Sequence, residues 1–152
     1  MSKKKDLNSI RDKIDSLDER ILSLLNERAN LAIDAGKAKE DSIKYKPARE
    51  ATIFNKLKDT NKGPLSNDQI ISIYNEIISA CRSTESNLKV AYLGPEGTYS
   101  QSALKNKFGS SVETKPESSI RSVFEEVNKG LCDFGIVPIE NSSEGAVNLT
   151  LD

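Results

Sequence analysis

The sequence predicts an all-α three-helix domain, paired as an intertwined dimer, followed by a partial α/β lobe of β-α-β-α-β order. Two observations carry this reading. Through the first half, apolar residues recur three and four apart, the period of amphipathic helices. After residue 88, short apolar runs stopped by Gly and Pro replace that period. We therefore divide the chain into a helical domain, 1–88, and a lobe, 89–152.

The first stripe runs Leu7, Ile10, Ile14, Leu17, Ile21, Leu24, then Leu31, Ala35 and Ala38, with no Pro and no Gly before Gly36. Taken from Leu7 to Glu40, it makes a rod of about 50 Å at about 1.5 Å per residue. Nothing else in the first half is long enough to cover such a stripe, so a second copy of the same helix is the expected partner. Pro47 suits a first helical turn, and Ile53, Phe54 and Leu57 mark a short second helix over Ala48 to Lys58. Gly63-Pro64 breaks it. Ser66 and Gln69 have capping-box spacing, and Ile70, Ile73, Tyr74, Ile77, Ile78 and Cys81 mark a third helix.

Val90-Ala91-Tyr92-Leu93 reads as a buried strand stopped by Gly94-Pro95-Glu96-Gly97. A helix over Tyr99 to Phe108, a strand near Val112, a helix over Ser119 to Asn128 and a strand over Phe134 to Val137 complete the order. Such alternation predicts a mainly parallel sheet. No closing element is visible over Asn148 to Asp152.

Composition narrows the chemistry. Lys and Arg number 22 against 23 Asp and Glu, a balance that gives no support to a nucleic-acid partner. Met1-Ser2-Lys3-Lys4-Lys5 leads into a charged amphipathic segment and not an apolar run, so no signal peptide, no membrane partner and a cytoplasmic location are expected. Cys81 and Cys132 are far apart in different kinds of sequence, which argues against a disulfide. The absence of histidine excludes a His-ligated metal and a Ser-His nucleophile, and no cofactor or metal is expected.

Within the long stripe, the slot between Leu24 and Leu31 holds Arg28 where the spacing calls for an apolar residue. A buried cation needs an anion, either a carboxylate of the partner helix or a ligand. Lys39 lies about 20° off the same line and about 16 Å along it. Arg11 is turned about 100° from Arg28 and lies about 25 Å away, so only an antiparallel partner helix brings both to one small ligand. Arg11, Lys39, Arg49 and Glu50 can also be read as solvated helical charges, and Cys81 as a small core residue. Glu85, four residues after Cys81, continues the inward face of the third helix.

In this order, Arg11, Arg28, Gly36-Lys37-Ala38-Lys39, Pro47-Ala48-Arg49-Glu50 and then Glu85 closely resemble the all-helical class of chorismate mutases, from residue 6 to about 88. The resemblance implies binding of chorismate and release of prephenate. It implies that Arg28 and Arg49 of one chain and Arg11 of the other meet the two carboxylates. Lys39 and Glu85 then approach the ether oxygen, and Glu50 holds the hydroxyl. Cys81 falls where several members have Ser, and Lys46 stands where some have Asp. A unimolecular Claisen rearrangement needs no nucleophile, no proton transfer and no metal.

In the second half, Gly94-Pro95-Glu96-Gly97-Thr98-Tyr99-Ser100 and Pro138-Ile139-Glu140-Asn141-Ser142-Ser143-Glu144-Gly145 resemble two signatures of prephenate dehydratases. Thr98 begins a helix whose backbone N–H groups suit an anion, and Glu140, Asn141 and Ser142 follow a strand at the sheet edge where such folds bind ligands. The family's Thr-Arg-Phe motif and its regulatory phenylalanine-binding domain do not occur here. The expectation is a fragment or truncated product of a bifunctional mutase/dehydratase, active as a mutase and inactive as a dehydratase. The alternative is a non-catalytic helical dimerisation module joined to a small-anion-binding lobe.

Overall fold

A computed structural model describes residues 2–38, 46–141 and 145–146. The first helix, α1 (Ser2–Ala38), is 37 residues long and starts before the expected Leu7. Its expected last residues, Lys39 and Glu40, lie outside the described residues, as do Ser142 and the tail from Asn148. The second helix, α2 (Pro47–Thr60), begins with Pro47 in its first turn, where a missing N–H costs nothing. Asn61 closes it: its Nδ2 donates to the Leu65 carbonyl at 2.8 Å and to Asn67 Oδ1 at 2.9 Å.

The third helix, α3 (Asn67–Glu85), opens with the expected capping box. The Gln69 N–H donates to Ser66 Oγ at 3.2 Å, and the Ser66 N–H donates to Gln69 Oε1 at 2.9 Å. Both α1 and α2 pack on α3. Only the last third of α1 gains cover this way. Leu7, Ile10, Ile14, Leu17, Ile21 and Leu24 all stay roughly half exposed within the single chain, at 46% to 60%.

The lobe follows the expected order: β1 (Lys89–Leu93), α4 (Tyr99–Phe108), β2 (Glu113–Glu117), α5 (Ile120–Asn128) and β3 (Phe134–Ile136). The strands form a parallel sheet in the order β2-β1-β3, with Val90 opposite both Thr114 and Phe134. Alternation along β1 divides its side chains between two layers. Leu88, Val90 and Tyr92 pack with Leu104 and Phe108 of α4, whereas Ala91 packs with Val123 of α5 and with Cys132. The strand expected near Val112 begins one residue later and is almost wholly exposed. It lies at the sheet edge, where Pro116 is tolerated. A short antiparallel pair, β4 (Glu140–Asn141) and β5 (Gly145–Ala146), was not anticipated.

The two halves touch along α3. Asn75 Nδ2 donates to the Asn106 carbonyl at 3.0 Å, and the Ser110 N–H and Oγ donate to Glu76 Oε2 at 3.2 and 2.5 Å. The Ser111 N–H donates to Ser79 Oγ at 3.2 Å. Gly109 between them has φ +74°, and a Cβ there would stand 2.5 Å from that of Ser79, so glycine is needed for both the turn and the close approach. Among the described residues no helix is long and apolar enough to cross a membrane.

Candidate functional site

Spacing on three helices builds one cavity. Arg28, Ala32 and Ala35 on α1, Glu50 and Ile53 on α2, and Ile78, Cys81 and Glu85 on α3 each stand three or four apart, so each set shares a helix face. These faces, with Leu31, Lys46, Arg49 and Arg82, line a cavity of about 590 Å³. That volume suits a small organic ligand. Thus Arg28, Arg49, Glu50, Cys81 and Glu85, all singled out from sequence, meet around one space.

The small residues of α1 let α3 come close. A Cβ built on Gly36 would lie 2.7 Å from Oε2 and 2.9 Å from Cδ of Glu85, so the carboxylate occupies room that any other residue at 36 would fill. Cys81 is buried and free. Arg28 is half-buried on the wall, and Arg49 is exposed at the mouth. Neither forms an ion pair among the described residues. The pocket therefore offers cations and accepts anions.

Glu50 is placed differently from an open carboxylate waiting for a hydroxyl. It is buried, and both its oxygens are held by Arg82 Nη2, at 3.1 and 3.0 Å. Burial pushes its carboxyl above the ordinary value, opposed by the charge and hydrogen bonds of Arg82 and by the charge of Lys107. Arg82 is itself only 6% exposed, and its Nη1 reaches the Phe108 carbonyl at a long 3.5 Å. Sequence reasoning missed Arg82. The available signal was its position four residues after Ile78, on the inward face of α3.

Other candidates stand apart. Arg11 is exposed on α1, seventeen residues before Arg28 and so about 25 Å away along the helix, and it does not line this chain's cavity. Lys39 lies outside the described residues. In the lobe, Thr98 is the residue before α4, yet its hydroxyl does not cap that helix and donates to the Leu93 carbonyl at 3.2 Å. The Gly97 N–H of the same turn is taken by Gln101 Oε1 at 2.6 Å. Glu140 and Asn141 form β4, in a two-stranded sheet separate from β1–β3, and Ser142 lies outside the described residues. No cluster of potential metal ligands occurs among the described residues.

A half-buried arginine with no ion pair among the described residues, a second arginine at the rim and a carboxylate aimed inward can hold a small dicarboxylate and place polar groups along it. Comparison with known proteins bears on which one. Residues 10–86 match the family described as chorismate mutase type II, and residues 90–152 match the family described as prephenate dehydratase. Over 159 aligned residues the chain is 48% identical to a bifunctional chorismate mutase/prephenate dehydratase of Stutzerimonas stutzeri, covering 100% of this chain and 44% of that protein. The protein of the same description from Aquifex aeolicus is 46% identical over 97% of this chain and 42% of its own length. That from Escherichia coli K12 is 32% identical over 100% and 44%. The chain thus spans less than half the length of the curated relatives it matches.

Proposed function

Because the chain belongs to the chorismate mutase type II family, we propose that it rearranges chorismate to prephenate, in phenylalanine biosynthesis, as a homodimer whose pockets are each completed by Arg11 of the other chain. The observation that carries the reading is the cavity in which Arg28 forms no ion pair among the described residues while Glu85 fills the notch left by Gly36.

Chorismate is a flexible dianion, and its rearrangement breaks a C–O bond while forming a C–C bond within one molecule. Rate enhancement comes from holding the reacting ends in near-attack geometry. It also comes from fixed donors placed where the ether oxygen gathers negative charge. In our reading Arg28, Arg49 and the other chain's Arg11 clamp the two carboxylates. Lys39 and Glu85 face the ether oxygen, Glu50 accepts from the ring hydroxyl, and Cys81 packs against the ligand from α3. The half-exposed stripe from Leu7 to Leu24 supports the dimer, since burying apolar area at about 25 cal/mol per Å² favours covering it with a second copy of α1. Antiparallel copies would also bring a distant Arg11 toward Arg28.

We take 1–88 as the mutase unit and 89–152 as the first part of a dehydratase unit. Thr98, Glu140, Asn141 and Ser142 are its proposed ligand contacts, and no dehydration is assigned to these residues alone. The reading includes a cytoplasmic setting and neither a nucleic-acid nor a membrane partner. The test is direct: purified chain is given chorismate, and loss of substrate is followed with acid conversion of the product to phenylpyruvate. Turnover far above the uncatalysed rate supports the reading, and a dimeric, folded chain without turnover refutes it.

A further inference from the structure

Arg82 serves neither α3 as a surface charge nor the sheet core as an apolar filler. It is 6% exposed, and it links three elements that are far apart in sequence. Through Nη2 it holds both oxygens of Glu50 on α2 at 3.1 and 3.0 Å, and through Nη1 it reaches the Phe108 carbonyl at the end of α4 at 3.5 Å. Both Arg82 and Glu50 line the cavity. A buried pair of this kind is sensitive to geometry, because losing one partner leaves the other charged and desolvated.

The face of α3 that carries Arg82 is also where the lobe docks. Glu76 holds Ser110, Ser79 holds the Ser111 N–H, and Gly109 fits against Ser79 with no room for a side chain. We propose that Arg82 is a positioning residue for the pocket, fixing the Glu50 carboxylate that meets the substrate hydroxyl, and that docking of the α/β lobe on α3 holds Arg82 in place. The lobe therefore shapes the mutase pocket without contributing a side chain to it. This inference rests on the proposed mutase reading for its ligand, but the Arg82–Glu50 link is independent of that ligand.

The carboxylate has charged neighbours on every side. Arg28 of α1 and Glu85 of α3 line the cavity with it, as do Lys46 and Arg49 of its own segment, while Asp68 of α3 and Lys107 of α4 line a second space on its far side. Of these neighbours, Arg82 is the one seen to hold both of its oxygens among the described residues, at 3.1 and 3.0 Å.

The test uses the full chain with Arg82→Met, which keeps length and removes charge and donors, Arg82→Lys, which keeps the charge, and Glu50→Gln, alone and with Arg82→Met. Wild-type turnover of chorismate decides the mutase reading separately. If positioning is right, Arg82→Met raises KM by about tenfold or more with a smaller change in kcat, as loss of a ground-state contact to a charged group should. Arg82→Lys recovers part of it, and the double variant is no worse than the worse single one. Glu76→Ala, which releases Ser110 from α3, should raise KM in the same direction by about two- to threefold. A readout without turnover follows the Glu50 carboxyl by NMR, whose titration should move up in Arg82→Met. Unchanged KM in a folded Arg82→Met chain, losses that multiply in the double variant, or an unmoved titration would overturn the positioning role. An unchanged KM in Glu76→Ala would overturn the part given to the lobe.

Discussion

Glu85 lies against the backbone of Gly36, so close that a Cβ at that glycine would stand 2.7 Å from its Oε2. The atom in the way is the end of a flexible side chain, so Gly36→Ala costs the fold little. Alanine is favoured over glycine by up to about 1 kcal/mol within a helix, and by less in a last turn such as that of Gly36. We therefore expect Gly36→Ala to be as stable as wild type or more so, yet to lose about tenfold or more in kcat/KM because Glu85 is pushed from its place. Thermal midpoints and chorismate kinetics on the same preparation check it. Unchanged kinetics would mean that the position of Glu85 is unimportant.

Arg28→Ala and Lys39→Ala should each lose about two orders of magnitude or more in kcat/KM, comparable to removing one preorganised donor to a developing charge. Both should still fold, and for Arg28→Ala no ion pair among the described residues is lost. A variant that remains dimeric and near wild type in rate would place the reacting bond elsewhere.

How far these roles could be read from sequence depends on how local each signal is. The Ser66–Gln69 box, Pro47 in the first turn of α2 and the bounds of α4 are set within a few residues, and the chain folds there as its pattern predicts. The strand β2 was less legible, because Glu-Thr-Lys-Pro-Glu at a sheet edge carries no buried alternation. Arg82 was legible only as a position four residues after Ile78, with nothing nearby to say what it holds. The apolar stripe of α3 gives out near Cys81, and the partners that explain Arg82 are 32 and 26 residues away. The same non-local pairing explains why the sequence did not show that Glu50 is held on both oxygens by Arg82.

Glu85→Gln tests chemistry at the ether oxygen. An ionised carboxylate has no proton to donate there and opposes the growing negative charge, whereas an amide of the same size always carries an N–H. The variant, which places an N–H donor of the same size at that position, should retain or gain activity. An inactive, folded Gln variant would mean that Glu85 acts as a carboxylate and does not face that oxygen.

The pair Glu50–Arg82 gives stability a pH dependence. Burial raises the Glu50 carboxyl in the folded chain, with Arg82 the main counterweight. A carboxyl raised on folding contributes stability that is full below its ordinary unfolded value and is lost as pH rises through the folded one. Arg82→Met enlarges the rise, and at neutral pH it strands a buried charge at a cost of about 3–5 kcal/mol. Urea midpoints at about pH 4.5 and about pH 7.5 should therefore show a wider gap between wild type and variant at the higher pH. A gap that is equal at both would mean that Glu50 is not a buried ionised partner.

Mixing two inactive chains decides whether the mutase pocket is completed across a dimer. Arg11→Ala and Arg28→Ala chains are each expected to be inactive alone. In a heterodimer one site lacks both arginines and the other regains both, so random re-pairing should restore about a quarter of the sites. Activity appearing on mixing, with wild-type KM and about a quarter of wild-type kcat per chain, is the predicted result. Confirmed heterodimers that remain as inactive as their parents would contradict the shared site.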